Sequence, residues 1–145
     1  MKGDTLPLDH HVARHCNPTD LFINGAGEPF GVKPSALVPD ADGVFVNWLE
    51  FFGGTRRHNI SGVRSVTKRQ ARKSHRLAIL SVGAVNAIQN TAGASLTVVE
   101  DPDDRLPPDT NAAHVLIKER TALQDPAVQD ALAFLVQPGD LEKFQ

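Results

Sequence analysis

Cysteine is nearly absent from the 145 residues, Cys16 being the only one. A lone thiol excludes an intramolecular disulfide and suits a reducing compartment, although a nucleophilic enzyme also needs no more than one. Long apolar runs are lacking as well. None approaches the ~18 to 20 residues of a membrane-spanning helix, and the opening MKGDTLPLDHH has no apolar signal core after its lysine. The expectation is a cytoplasmic protein without a membrane partner. No internal repeat and no cofactor-binding motif is visible, so no cofactor is expected. At this length, with 41% hydrophobic residues, one core and a single domain spanning 1–145 are expected, with loose ends at 1–8 and 140–145 and an exposed acidic loop at 100–110.

Acidic residues are missing from the middle of the chain. Between Glu50 and Glu100 there is none, whereas Arg56, Arg57, Arg64, Lys68, Arg69, Arg72, Lys73 and Arg76 all fall inside that window. The slight overall acidity, a net charge of −2, therefore hides a basic centre between acidic flanks.

The order of elements follows from periodicity and punctuation. His11 to Cys16 is read as a strand, the helical turn being the alternative, and Asn17-Pro18 ends it because a residue before proline is pushed out of the helical region. Thr19 to Pro39 is rich in glycine and proline and offers edge pairing at most. Val44 to Leu49 has the β-branched and aromatic content of a strand. Thr55 is a candidate N-cap for a helix carrying Ile60, Val63 and Val66 on one face. Leu77 to Val82 reads as a buried strand, Gly83 onward as a short helix, and Leu96 to Val99 and Ala113 to Ile117 as further strands. Asp125-Pro126 opens the last helix, with Val128, Ala131, Leu132, Leu135 and Val136 as its apolar face and Gly139 beyond its end. Uneven connections favour an α+β fold, a mixed or mostly antiparallel sheet with two or three helices on one side, over a doubly wound parallel sheet.

Several residues have the chemistry of a site. His10, His11, His15 and Cys16 lie close together in the sequence. On a helix His11 and His15 would share a face and chelate a metal, but on a strand they stand ~13 Å apart and cannot. The glutamate that makes a zinc-protease helix catalytic is missing from His-Val-Ala-Arg-His, and no metal is expected. Cys16 is either a thiolate activated by His15 and Arg14 or, in the favoured reading, a buried inert side chain. Trp48 reads as a core anchor whose ring nitrogen finds an acceptor. Glu50 is either a catalytic carboxylate at a strand end or, as favoured, the partner of Arg56 or Arg57.

The grouping of Asp9, His10 or His11, and Arg14, followed by Pro18-Thr19, the Val46-Asn47-Trp48-Leu49-Glu50 string, the Leu77-to-Gly83 run and the Ala113-His114 pair, resembles a group of small bacterial proteins that brings no activity with it. The likeness spans most of the chain. It departs from the group's pattern where His11 crowds the first motif and Cys16 replaces an aliphatic residue. What it implies is a bacterial single-domain protein and a set of polar residues that converge: His10 or His11, Arg14, Asn47, Glu50 and His114.

Two functions of different class follow. In the first, a non-enzymatic binding or accessory module uses its basic segment, 56–76, to contact nucleic acid or another anionic partner such as an acidic protein, with Arg64, Lys68, Arg69, Arg72, Lys73 and Arg76 as anion-binding residues. A homo-oligomer contact is a further use of such a face. The segment has no aromatic residue to stack on bases, and the acids at Asp101 to Asp104 are placed to cover it. In the second, a small hydrolase or transferase acts on a phosphorylated or nucleotide-like substrate, with His11, Arg14, Asn47, Glu50 and His114 as catalytic residues. Charge segregation favours the first.

Overall fold

The computed structural model describes residues 1–67, 73–89, 93–105 and 110–144. Among them the strands are His11–Cys16 (β1), Leu21–Ile23 (β2), Pro29–Val32 (β3), Val44–Trp48 (β4), Arg76–Ser81 (β5), Thr97–Glu100 (β6), His114–Lys118 (β7) and Leu141–Lys143 (β8). The helices are Arg56–Val66 (α1), Val82–Asn86 (α2), Arg120–Leu123 (α3) and Pro126–Phe134 (α4). A six-stranded sheet runs in the order β6-β7-β4-β1-β5-β8, and β2 and β3 form a separate hairpin. Every pairing is antiparallel, so the α+β class read from the sequence is the class of the structure.

Strand alternation sorts the side chains of β1 onto two faces. Val12 and Cys16 enter a large core with Val46, Leu80, Val115, Leu123, Val128 and Leu132, whereas Ala13 joins a smaller one with Leu49, Ile60, Val63, Leu77 and Ile79. Three helices therefore share one face, as expected, and a fourth lies on the other. α2, α3 and α4 contribute to the larger core, and α1 alone packs on the other face. Helix starts are chemically marked. Thr55 Oγ1 accepts from His58 N at 3.2 Å and Asp125 Oδ1 from Ala127 N at 2.9 Å, as the capping pattern predicts.

Both chain ends are drawn into the structure. Leu6 is buried and its N–H donates to Val98 O at 3.0 Å. Near the other end, Leu141–Lys143 pairs with Arg76, Leu77 and Ala78, and Leu141 packs against the larger core.

One helix cannot cover a sheet of this width. A helix ~10 Å across spans about two strands at ~4.8 Å spacing, and α1 spends that width over β1 and β5. Among the described residues no helix covers the same face over β4 and β7. Its far rim is set by the Asp40–Gly43 turn, closed by Asp40 N donating to Gly43 O at 2.9 Å. Gly43 is buried with φ 139°, and a Cβ there would overlap Ile117 O, so only glycine lets this turn lie against β7.

Candidate functional site

The uncovered sheet face is the floor of a cleft of about 600 Å³. Ala13, Asn47 and His114 lie side by side across β1, β4 and β7, because Ala13 pairs with Asn47 and Asn47 with His114. Val66 and Thr67 at the end of α1 form one wall, and Asp101 to Arg105 form another.

The two polar floor residues are held by partners. Asn111, only 7% exposed, donates from Nδ2 to Asn47 Oδ1 at 2.8 Å and accepts from Ala113 N on its own Oδ1 at 3.1 Å. Its backbone exchanges both bonds with Asp103, at 2.7 and 2.8 Å. This fixes the Asn47 amide, whose NH₂ has no partner among the described residues. His114 Nδ1 lies 2.9 Å from Asp101 O and 3.4 Å from Asp101 Oδ2. A carbonyl only accepts, so Nδ1 carries the proton and Nε2 of the neutral ring is left as an acceptor. The ring leans on Phe45 at 5.0 Å. A fixed amide donor thus stands beside a fixed imidazole acceptor, an arrangement able to hold a hydroxyl or to take a proton at His114 Nε2.

Carboxylates dominate the surroundings. Asp101 meets Lys2 at 3.6 Å, and Asp103 accepts from Arg105, whose hydrogen bonds hold its carboxyl down at about 2. Asp40, Asp42 and Asp104 also line the cleft and form no ion pair among the described residues.

The convergent set read from the sequence is divided. Asn47 and His114 share the cleft. His11 and Glu50 form their own pair: the Leu49–Phe52 3₁₀ turn after β4 swings Glu50 back so that it accepts from His11 N at 2.6 Å and meets His11 Nδ1 at 2.7 Å. Glu50 is thereby engaged with His11, where a pair with Arg56 or Arg57 was expected. Neither His11 nor Glu50 lines the cleft. Arg14 also lines the cleft, with its guanidinium engaged: it donates to Ala36 O at 2.9 Å and Phe45 O at 2.8 Å. His10 Nδ1 accepts from Trp48 Nε1 at 2.9 Å, which supplies the acceptor expected for that ring. His15 Nε2 meets His75 Nδ1 at 2.8 Å. Cys16 is buried, and burial pushes its thiol up to about 12, which removes it as a nucleophile. Among the described residues no three His, Cys, Asp or Glu side chains are grouped to hold a metal ion, and no helix is long and apolar enough to cross a membrane.

Asp101 and Asn111 were not singled out in the sequence. Asn111 gave one signal, an Asx-type position two residues before a strand, but nothing marked it as buried.

The basic segment is met on the far side of α1. Arg56, Arg57, Ile60, Arg64 and Glu142 line a groove of about 430 Å³. Arg56 pairs with Glu142 at 3.4 Å, and Arg64 donates to Lys143 O. Arg76 is buried, its Nη1 donating to Lys73 O at 2.8 Å and His75 O at 2.9 Å. Lys73 is exposed. Lys68, Arg69 and Arg72 lie outside the described residues. No protein-family model, curated protein or solved structure matches the chain.

Proposed function

We propose that the protein is a binding module that docks on nucleic acid or another polyanion through the cationic side of α1 and the basic segment that follows it. The carrying observation is where the acids go. Asp101 and Asp103, expected to fold over the basic segment, pair instead with Lys2, His114 and Arg105. Among the described residues one carboxylate, Glu142, pairs with the segment, through Arg56. The acidic loop thus does not pair, among the described residues, with the cations of the 56–76 segment, and uncancelled cations attract phosphates by Coulomb force and counterion release. Arg57 and Lys73 are both exposed, and this reading assigns them to the docking surface. Arg76 does not, because its guanidinium is spent on two backbone carbonyls. The hydrolase or transferase reading has less support, since its five residues are split between the cleft lined by Arg14, Asn47 and His114 and a separate His11–Glu50 pair, and the Arg14 guanidinium is already engaged by two backbone carbonyls.

The test is fluorescence anisotropy with a labelled DNA duplex between 50 and 200 mM salt. A log–log slope of about −3, near −0.9 for each of about three phosphates, is expected, and the double substitution Arg57→Glu with Lys73→Glu should abolish it. Association insensitive to salt, or none at 50 mM, would overturn the reading.

A further inference from the structure

The cleft on the open sheet face shares no lining residue with the groove of Arg56, Arg57 and Arg64, and its own chemistry points elsewhere. Its size falls in the range of small-molecule sites, a few hundred to a thousand cubic ångströms. Its floor offers two groups whose directions are set in advance. Asn47 is locked by the buried Asn111, leaving its amide N–H groups for another acceptor, and His114 is locked through Nδ1 by Asp101, leaving Nε2 for a donor. A hydroxyl answers both, because it accepts through oxygen and donates through hydrogen. Vicinal hydroxyls answer them from neighbouring carbons, and Asn47 and His114 are neighbours across β4 and β7. Preorganisation of this kind lowers the ordering cost of binding.

The walls decide the sign of the ligand's charge. Among the described residues five aspartates, Asp40, Asp42, Asp101, Asp103 and Asp104, line the cleft against three cations; Lys2 and Arg105 are engaged by Asp101 and Asp103, Arg14 by the carbonyls of Ala36 and Phe45, and Asp40, Asp42 and Asp104 have no ion-pair partner. A phosphate or carboxylate entering here would meet a field of its own sign. A protonated amine would meet compensation.

We propose that this cleft is a binding site for a small hydroxylated amine, of the amino-sugar or amino-alcohol class, whose hydroxyls sit on Asn47 and His114 and whose ammonium group faces Asp40, Asp42 and Asp104.

Three sugars that share one ring and differ in charge test it: glucosamine, glucose and glucuronate, each titrated into the full chain and followed by amide chemical shifts. Glucosamine should give saturable shifts at Asn47 and His114, glucose weaker ones, and glucuronate none. Because Asp42 and Asp104 are exposed, the pair of changes Asp42→Asn and Asp104→Asn leaves the fold intact, and it should weaken glucosamine about tenfold, toward the level of glucose. Asn47→Ala should weaken both glucosamine and glucose. Arg57→Glu, on the far side of α1, should change neither, which separates this site from polyanion docking. Glucuronate binding as tightly as glucosamine, unsaturable glucosamine shifts, or shifts centred outside the cleft would overturn the proposal.

Discussion

The carboxylate of Glu50 grips His11 twice, accepting from its backbone N–H at 2.6 Å and meeting its ring Nδ1 at 2.7 Å. Two elements distant in sequence are joined by one side chain: the start of β1 and the 3₁₀ turn that ends β4. Removing the acceptor strands a part-buried backbone N–H, a loss of about 1 to 3 kcal/mol. Glu50→Ala should therefore lower the unfolding free energy by that amount, read as a lower urea midpoint at unchanged slope. Glu50→Gln keeps an oxygen for the N–H and should cost less than about half as much. Equal losses in the two variants would show that the backbone bond is not what Glu50 supplies.

Cys16 gives a pH dependence with a definite sign. Burial raises its thiol from the ordinary value of 9.0 to about 12, so between those values the unfolded chain releases a proton that the folded chain keeps. Stability from this group is whole below pH 9 and is lost as pH rises toward 12. Cys16→Ala should flatten that part of the stability curve. In the native protein near pH 8, a thiol reagent should modify Cys16 only at the rate at which the buried strand opens, and quickly once urea unfolds it.

How much of this was legible depended on whether the signal was local. β1, β4, α1, β5, β7 and the start of α4 announce themselves through alternation, helical spacing and capping residues within a few positions. The division of helices between two faces does not, since it depends on which strands α1 covers, and nothing in Ile60 and Val63 names Leu77 and Ile79 as their partners. Asn47 and His114 were picked out together, and the register of β4 against β7 makes them neighbours. Glu50 was read by its nearest charges in sequence. The 3₁₀ turn sends it to His11 instead, a choice made by backbone geometry that charge spacing does not encode. Asn111, Asp101 to Asp104 and the pair Asp40 and Asp42 lay in separate segments that composition describes only as loop or turn.

Gly62 sits inside α1, where alanine would ordinarily stabilise by up to about 1 kcal/mol. Here a Cβ would overlap the Phe52 ring, at Cγ as well as at Cδ1 and Cε1, so the ring cannot yield by moving its tip alone. Overpacking of this sort costs ~1 to 3 kcal/mol. Gly62→Ala should therefore destabilise, and in a Phe52→Ala background the same change should become neutral or stabilising. The strong coupling expected between these two sites is measured by a double-mutant cycle in urea; additive effects would mean that α1 does not rest on Phe52 through Gly62.

Arg57 and Arg76 carry the same charge but should fail in opposite ways when replaced. Arg57 is exposed on α1, and a surface substitution there typically changes stability by no more than about 0.5 kcal/mol. Arg76 is buried, and its guanidinium bridges Lys73 O and His75 O as the chain enters β5. Losing it leaves those carbonyls short of a donor and opens a gap beside the sheet, at a cost of about 1 to 3 kcal/mol. Arg76→Ala should thus lower the urea midpoint clearly while leaving the salt slope of polyanion binding unchanged in the folded fraction. Arg57→Ala should do the reverse, keeping the midpoint and flattening the slope by about one unit. If Arg76→Ala also flattens the slope, the buried arginine contributes to the docking surface and that surface extends past α1 to the sheet edge.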